Sequence, residues 1–203
     1  MSYAFESKPA DAEKYYRQTF DRQLAAGRLE DAGATANAIA RVYLEAGDTA
    51  NAEKWYRVGY DTAKKIATPT PVQADVLEWR WLNAQGRISA RRGQFDAARR
   101  FAAQGKAILD KGTNNDQLAY YPYLVGYIEF YAKNYPKAIE ELLKGDLRDV
   151  FVLGLIAQAY DRTGDKAKAA EYFTKVMASA SHSINAAFSR PQARAYLSGR
   201  GPK

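Results

Sequence analysis

Two pairs of side chains in this 203-residue sequence combine an amide with a guanidinium at the same spacing: Asn37 with Arg41, and Asn83 with Arg87. On a helix, a separation of four residues stacks the two groups on one face. The planar fork of arginine suits a carboxylate or phosphate, and the amide can hold an extended peptide backbone. A second pattern, Tyr120, Tyr123, Tyr127 and Tyr131, recurs at spacings of three and four and so falls on one helical face. Tyrosine combines apolar area with a polar tip and loses little entropy on contact, so the stripe suits ligand recognition or an ordinary interhelix core. Signatures of catalysis are missing. There is no glycine-rich phosphate loop, no helix carrying paired histidines, and no nucleophile with a histidine base other than through His182, the one histidine. Cysteine is absent, which removes disulfides, thiolate chemistry and Cys/His zinc sites. The expectation is a binding protein without metal or cofactor, and not an enzyme.

The elements that must carry these side chains are marked by small residues. A small residue, another twelve positions on and a third seven beyond that recur four times: Ala40/Ala52/Gly59, Gly86/Ala98/Gly105, Gly126/Ala138/Gly145 and Ala157/Ala169/Val176. Helices joined by a tight turn approach closely only where side chains are minimal, so the repetition predicts four helical hairpins. The hairpins are expected over about 30–66, 71–110, 116–146 and 149–178. Turns fall at Gly47-Asp48, Gly93, Asn134 and Gly164-Asp165, and Asp48 and Asp165 are placed to cap the helices that follow. Pro71 marks a helix start after the break Thr68-Pro69-Thr70-Pro71. Ala12, Tyr16, Phe20 and Leu24 predict a capping helix over about 9–26, and a closing helix is expected over about 189–197 after a linker at 179–185. The fold class is therefore all-α, a single repeat domain over 1–203 in which each hairpin buries its face against its neighbours.

The hairpins resemble the tetratricopeptide repeat at its defining positions. Ala40, Tyr43, Gly47, Ala52 and Tyr56 match one repeat, and Ala157, Tyr160, Gly164, Ala169 and Phe173 another. The second hairpin departs with Ser89 and Ala102, the third with Glu129 and Leu142. The middle small residues lie 46, 40 and 31 apart, against the 34 of the family. The resemblance implies an α-solenoid forming a right-handed superhelix, in which the first helix of each hairpin lines a concave groove. Counting from the small residue of each first helix then gives the groove sites Asn37, Arg41 and Glu45; Arg80, Asn83, Arg87 and Arg91; the tyrosines Tyr120, Tyr123, Tyr127 and Tyr131; and Gln158 with Arg162. It also turns Arg92, Arg99 and Arg100 away from the groove.

The net charge of +7 is concentrated between Arg80 and Lys106, where Asp96 is the only acid, and in the tail at Arg190, Arg194, Arg200 and Lys203. Such a field favours an acidic partner or is simply solvated. The partner expected is a protein or peptide, acidic or ending in a free carboxylate, held along the basic, tyrosine-rich groove. The alternative from another class is a structural subunit that self-associates into a homo-oligomer through its hairpin faces. Single-stranded nucleic acid ranks behind both, since no recognised nucleic-acid module is present. No apolar run approaches the length of a membrane span, and the N-terminus does not read as a signal peptide. The compartment expected is the cytoplasm, with a periplasmic or secreted location as the alternative if a signal was removed.

Overall fold

A computed structural model describes residues 8–181 and 183–199. His182, Arg200 and Lys203 lie outside the described residues. Among those described, ten α-helices are arranged as paired hairpins with terminal helices, and none is long and apolar enough to cross a membrane. The chain divides at Leu118 into two compact units.

The unit over 8–118 holds α1 (Pro9–Ala25), α2 (Leu29–Glu45), α3 (Thr49–Ala63), α4 (Pro71–Arg91) and α5 (Phe95–Leu109), followed by one 3-10 turn at Asn115–Gln117. The helix boundaries follow local chemistry. The Asp48 side chain accepts from Asn51 N at 3.0 Å at the start of α3, and Thr70 with Gln73 forms a reciprocal capping box around Pro71 at the start of α4. Gly47 and Gly93 end α2 and α4 in the left-handed region, with φ of 90° and 74°, where a side chain would be strained. Helix α1 packs on α2. Tyr43 donates to Glu13, and Thr35 Oγ1 donates to Gln23 at 2.7 Å. Phe20, Ile39, Leu44, Trp55, Tyr56 and Ile88 form the core, with Phe20 edge-on to Trp55 at 5.8 Å.

The second unit holds α6 (Tyr120–Tyr131), α7 (Tyr135–Leu142), α8 (Val150–Thr163), α9 (Lys166–Ala178) and α10 (Ile184–Leu197). Asp165 caps α9, accepting from Lys168 N at 2.9 Å. The α6–α7 turn places Lys133 at φ 62°, the position that glycine fills at Gly47, Gly93 and Gly164. The closing helix starts at Ile184, earlier than the sequence rule for proline suggests, and Pro191 lies inside it. Proline forgoes one backbone hydrogen bond in that position. Anchors outside α10 hold its first turns: Asn185 Nδ2 donates to both carboxylate oxygens of Asp149 at 2.9 Å, and an Arg190 N–H donates to the Ser179 carbonyl at 2.6 Å. Helix α10 packs on α8 and α9, with Phe188 edge-on to Phe151 and Tyr196 tilted against Phe173.

Candidate functional site

Within the unit over 8–118, α2 and α4 run in the same direction and line a common cavity along their first halves. Two contacts and one shared cavity mark that register. Gln73 Nε2 donates to Glu30 at 3.3 Å near both N-termini. Asn37 and Arg80 line one small cavity two turns further on. Glu45 meets Arg91 at 3.5 Å near both C-termini. Between the first and second of these lies a cavity of about 510 Å³, within the range of roughly 300–1,000 Å³ usual for ligand sites.

The floor of this trough is made where α2 and α3 cross. Gly33 and Gly59 face each other so closely that a Cβ on Gly59 would lie 2.9 Å from the Gly33 carbonyl and 2.6 Å from Asn37 Oδ1. Glycine at both positions permits this close crossing of α2 and α3 beside the cavity. Val72, Val76 and Leu77 of α4, with Ile66 and Pro69 of the preceding connection, give an apolar wall. The residues after α5 supply the remaining side: Asn114, Asp116 and Gln117 all line the cavity. They are brought there by Asp75, which accepts from Lys111 Nζ at 2.6 Å and from Thr113 Oγ1 at 2.8 Å. Those two bonds hold the Asp75 carboxyl below the usual carboxylate range. Four amide-bearing residues thus line one apolar trough, Asn37, Gln73, Asn114 and Gln117; the Gln73 amide already accepts from Thr70 N at 3.0 Å and donates to Glu30 at 3.3 Å.

Charge in the trough is partly committed. Glu78 accepts from the Tyr60 hydroxyl; burial, then this bond to a carboxylate, pushes Tyr60 up to about 12. Lys64 sits over the Tyr60 ring at 5.3 Å, and Arg57 stacks on Trp81 at 4.1 Å, contacts favourable in cation–π geometry. Arg80 and Asp116 are both exposed. Neither makes an ion pair or side-chain hydrogen bond among the described residues.

Of the residues singled out by sequence, the structure brings Asn37 and Arg80 to the trough and puts others to different uses. Arg41 Nε donates to Glu45 one turn on in α2 at 3.0 Å, and the same carboxylate takes Arg91, so Arg91 ties α4 to α2 while Arg41 braces the shared carboxylate. Asn83 is buried, as is Arg87, which donates to the Tyr56 hydroxyl at 2.9 Å and lies over its ring. In the other unit Tyr127 is fully buried and Tyr123 nearly so. They pack at 5.9 Å, Tyr127 meets Tyr131 at 4.7 Å, and Tyr123 meets Phe151 at 6.2 Å. Tyr120 is exposed, as are Leu143 and Leu147. Gln158 donates to the Gly154 carbonyl at 3.1 Å, and Arg162 is exposed.

Counting from the first helices missed Gln73, Asn114, Asp116 and Gln117. A signal for Gln73 was present in Thr70-Pro71-Val72-Gln73, since a capping box fixes the first turn of α4 and hence which way it faces. Nothing in Lys111-Gly112-Thr113-Asn114-Asn115 announces a cavity wall, because its placement depends on a contact with Asp75.

Among the described residues no group of three or more His, Asp or Glu side chains is disposed to hold a metal ion. Residues 152–183, spanning α8 and α9, match the model of the tetratricopeptide repeat. No curated protein and no solved structure matches the chain. Hairpin packing in both units and the match over α8–α9 together support a helical repeat fold like that of the tetratricopeptide proteins.

Proposed function

We propose that this chain is a protein-interaction module that docks an extended peptide segment in the trough between α2 and α4. The observation that carries this reading is an apolar cavity lined by three amide residues whose side chains cap no helix, Asn37, Asn114 and Gln117. An extended backbone presents alternating donors and acceptors, which amides can satisfy in either sense. The exposed Ala34 leaves room for that backbone, and Val72, Val76 and Leu77 offer apolar surface to its side chains. The single repeat matched by the family model lies in the other unit, so the reading rests on the cavity and not on that match.

Ala34 is exposed on α2 and lines the trough. Ala34→Trp fills the trough from a position that no core residue occupies, and should abolish enrichment of peptides from a random-sequence pool displayed against the full chain. Circular dichroism should show unchanged helicity. Equal enrichment by Ala34→Trp and the parent protein would remove the trough from consideration.

A further inference from the structure

The trough has opposite charges at its two ends, and their separation sets the chemistry of what fits. Glu30 and Gln73 lie in the first turns of α2 and α4, joined by a hydrogen bond. Thr113, bonded to Asp75 in the second turn of α4, brings Asp116 to that same end. Asn37 and Arg80 lie seven residues further along their helices. At 1.5 Å per residue that is about 10 Å of helix axis, the length of roughly three residues of extended chain at 3.3–3.6 Å each.

The end near the helix starts is acidic, through Glu30 and the exposed Asp116. Lys64 also lines the cavity but lies over the Tyr60 ring. The far end is basic, through Arg80, with the Asn37 amide beside it. Glu78, two residues before Arg80, carries a carboxylate toward this end as well, but it is already bonded to Tyr60. We infer that the trough selects an extended segment carrying a cation and a carboxylate about three residues apart, the carboxylate on Arg80 and Asn37 and the cation on Asp116 and Glu30. This rests on the peptide-docking reading and narrows it to a segment of paired charge. The acidic end disfavours a uniformly acidic peptide by like-charge repulsion, just as Arg80 disfavours a uniformly basic one. A side-chain carboxylate and a free C-terminus offer Arg80 the same fork of oxygens.

The test is selection of hexapeptides from a random pool on the full chain, compared with Arg80→Glu and Asp116→Lys. Both positions are exposed, so neither substitution disturbs the core. The parent protein should enrich peptides with an acid and a base separated by two or three positions. A synthetic peptide of that pattern should bind at least tenfold more tightly than versions with either charge neutralised. Arg80→Glu should lose the preference for the acid while keeping that for the base, and Asp116→Lys should do the converse. Peptides enriched without a charge pair, or with preferences unchanged in both variants, would overturn the charge assignment and leave docking in the trough standing. No enrichment of any peptide by the parent protein would overturn both.

Discussion

Replacing Gly126 by alanine tests whether close helix approach is what the small-residue pattern encodes. In α6 this glycine faces Leu142 of α7. A Cβ there would lie 2.5 Å from Leu142 Cγ, 2.8 Å from Cδ2 and 3.1 Å from its backbone nitrogen. Carbon pairs normally rest at about 3.5–4.0 Å, so the first contact is short by roughly 1 Å. Leu142 is fully buried and cannot swing into solvent. Overpacking of this kind costs about 3 kcal/mol, and the helix preference of alanine over glycine returns about 1 kcal/mol. Gly126→Ala should therefore destabilise by about 2 kcal/mol. In a Leu142→Ala background the two closest atoms are gone, and the new methyl fills part of the void. There the same substitution should be neutral or favourable by about 1 kcal/mol, giving a coupling of about 2–3 kcal/mol. Urea unfolding of the four proteins, followed by amide hydrogen exchange in α6 and α7, measures the cycle. The three tryptophans, at 55, 79 and 81, lie in the other unit, so their fluorescence does not report on this contact. Equal effects of Gly126→Ala in the two backgrounds would show that Leu142 does not limit the approach, and the reading of the trios would fail with it.

Two further outcomes follow from hydrogen bonds to carboxylates. Asp75→Ala removes both anchors of residues 111–117, so amide exchange there should rise at least tenfold while α2 and α3 stay unchanged, with peptide binding weakened in parallel. Asp48 caps α3, and the bonds from the Asn51 backbone and side chain hold its carboxyl below the ordinary carboxylate value; Asp48→Ala should cost about 1 kcal/mol at neutral pH. Because the folded-state value is the depressed one, the stabilisation is complete above the unfolded value near 3.9 and is lost as pH falls through the folded value. The difference between Asp48→Ala and the parent should accordingly shrink in urea titrations taken through that acid window.

What could be read from sequence was what depends on neighbours close in the chain. Ala40, Ala52, Ala98, Ala138, Ala157 and Ala169 are all fully buried, since a small residue at a hairpin crossing is fixed by a turn only a few residues away. Asp48, Asp165 and Pro71 act at helix starts, again a local matter. Asn83, Arg87 and Tyr127 were placed on a helical face, but a face does not reveal what packs against it. Burial of Arg87 depends on Tyr56, 31 positions earlier. The Asn114–Gln117 wall depends on Asp75, nearly forty positions before it, and the early start of α10 on Asp149 and Ser179. Each of these is a long-range contact with no periodicity to announce it.

The contrast among the arginines of α4 shows what else is needed beyond helical register. Arg80, Arg87 and Arg91 are spaced seven and four apart and so share a side of the helix. Arg91 is tied to α2 through Glu45, and Arg87 is buried against Tyr56. Arg80 alone of the three is exposed, two turns nearer the N-terminus, where it lines the trough with residues of α2. This stretch of α4 falls within the longest of the unequal repeat spacings, the 46 residues from Ala52 to Ala98. The extra residues form the connection over 64–70 and a 21-residue α4, against 17 residues in α2. The first turns of this longer helix carry Gln73, Val76 and Arg80, which line the trough opposite Glu30, Ala34 and Asn37 of α2. Position along α4, set by the length of one connection, decides which arginine holds the fold together and which one is open to a ligand.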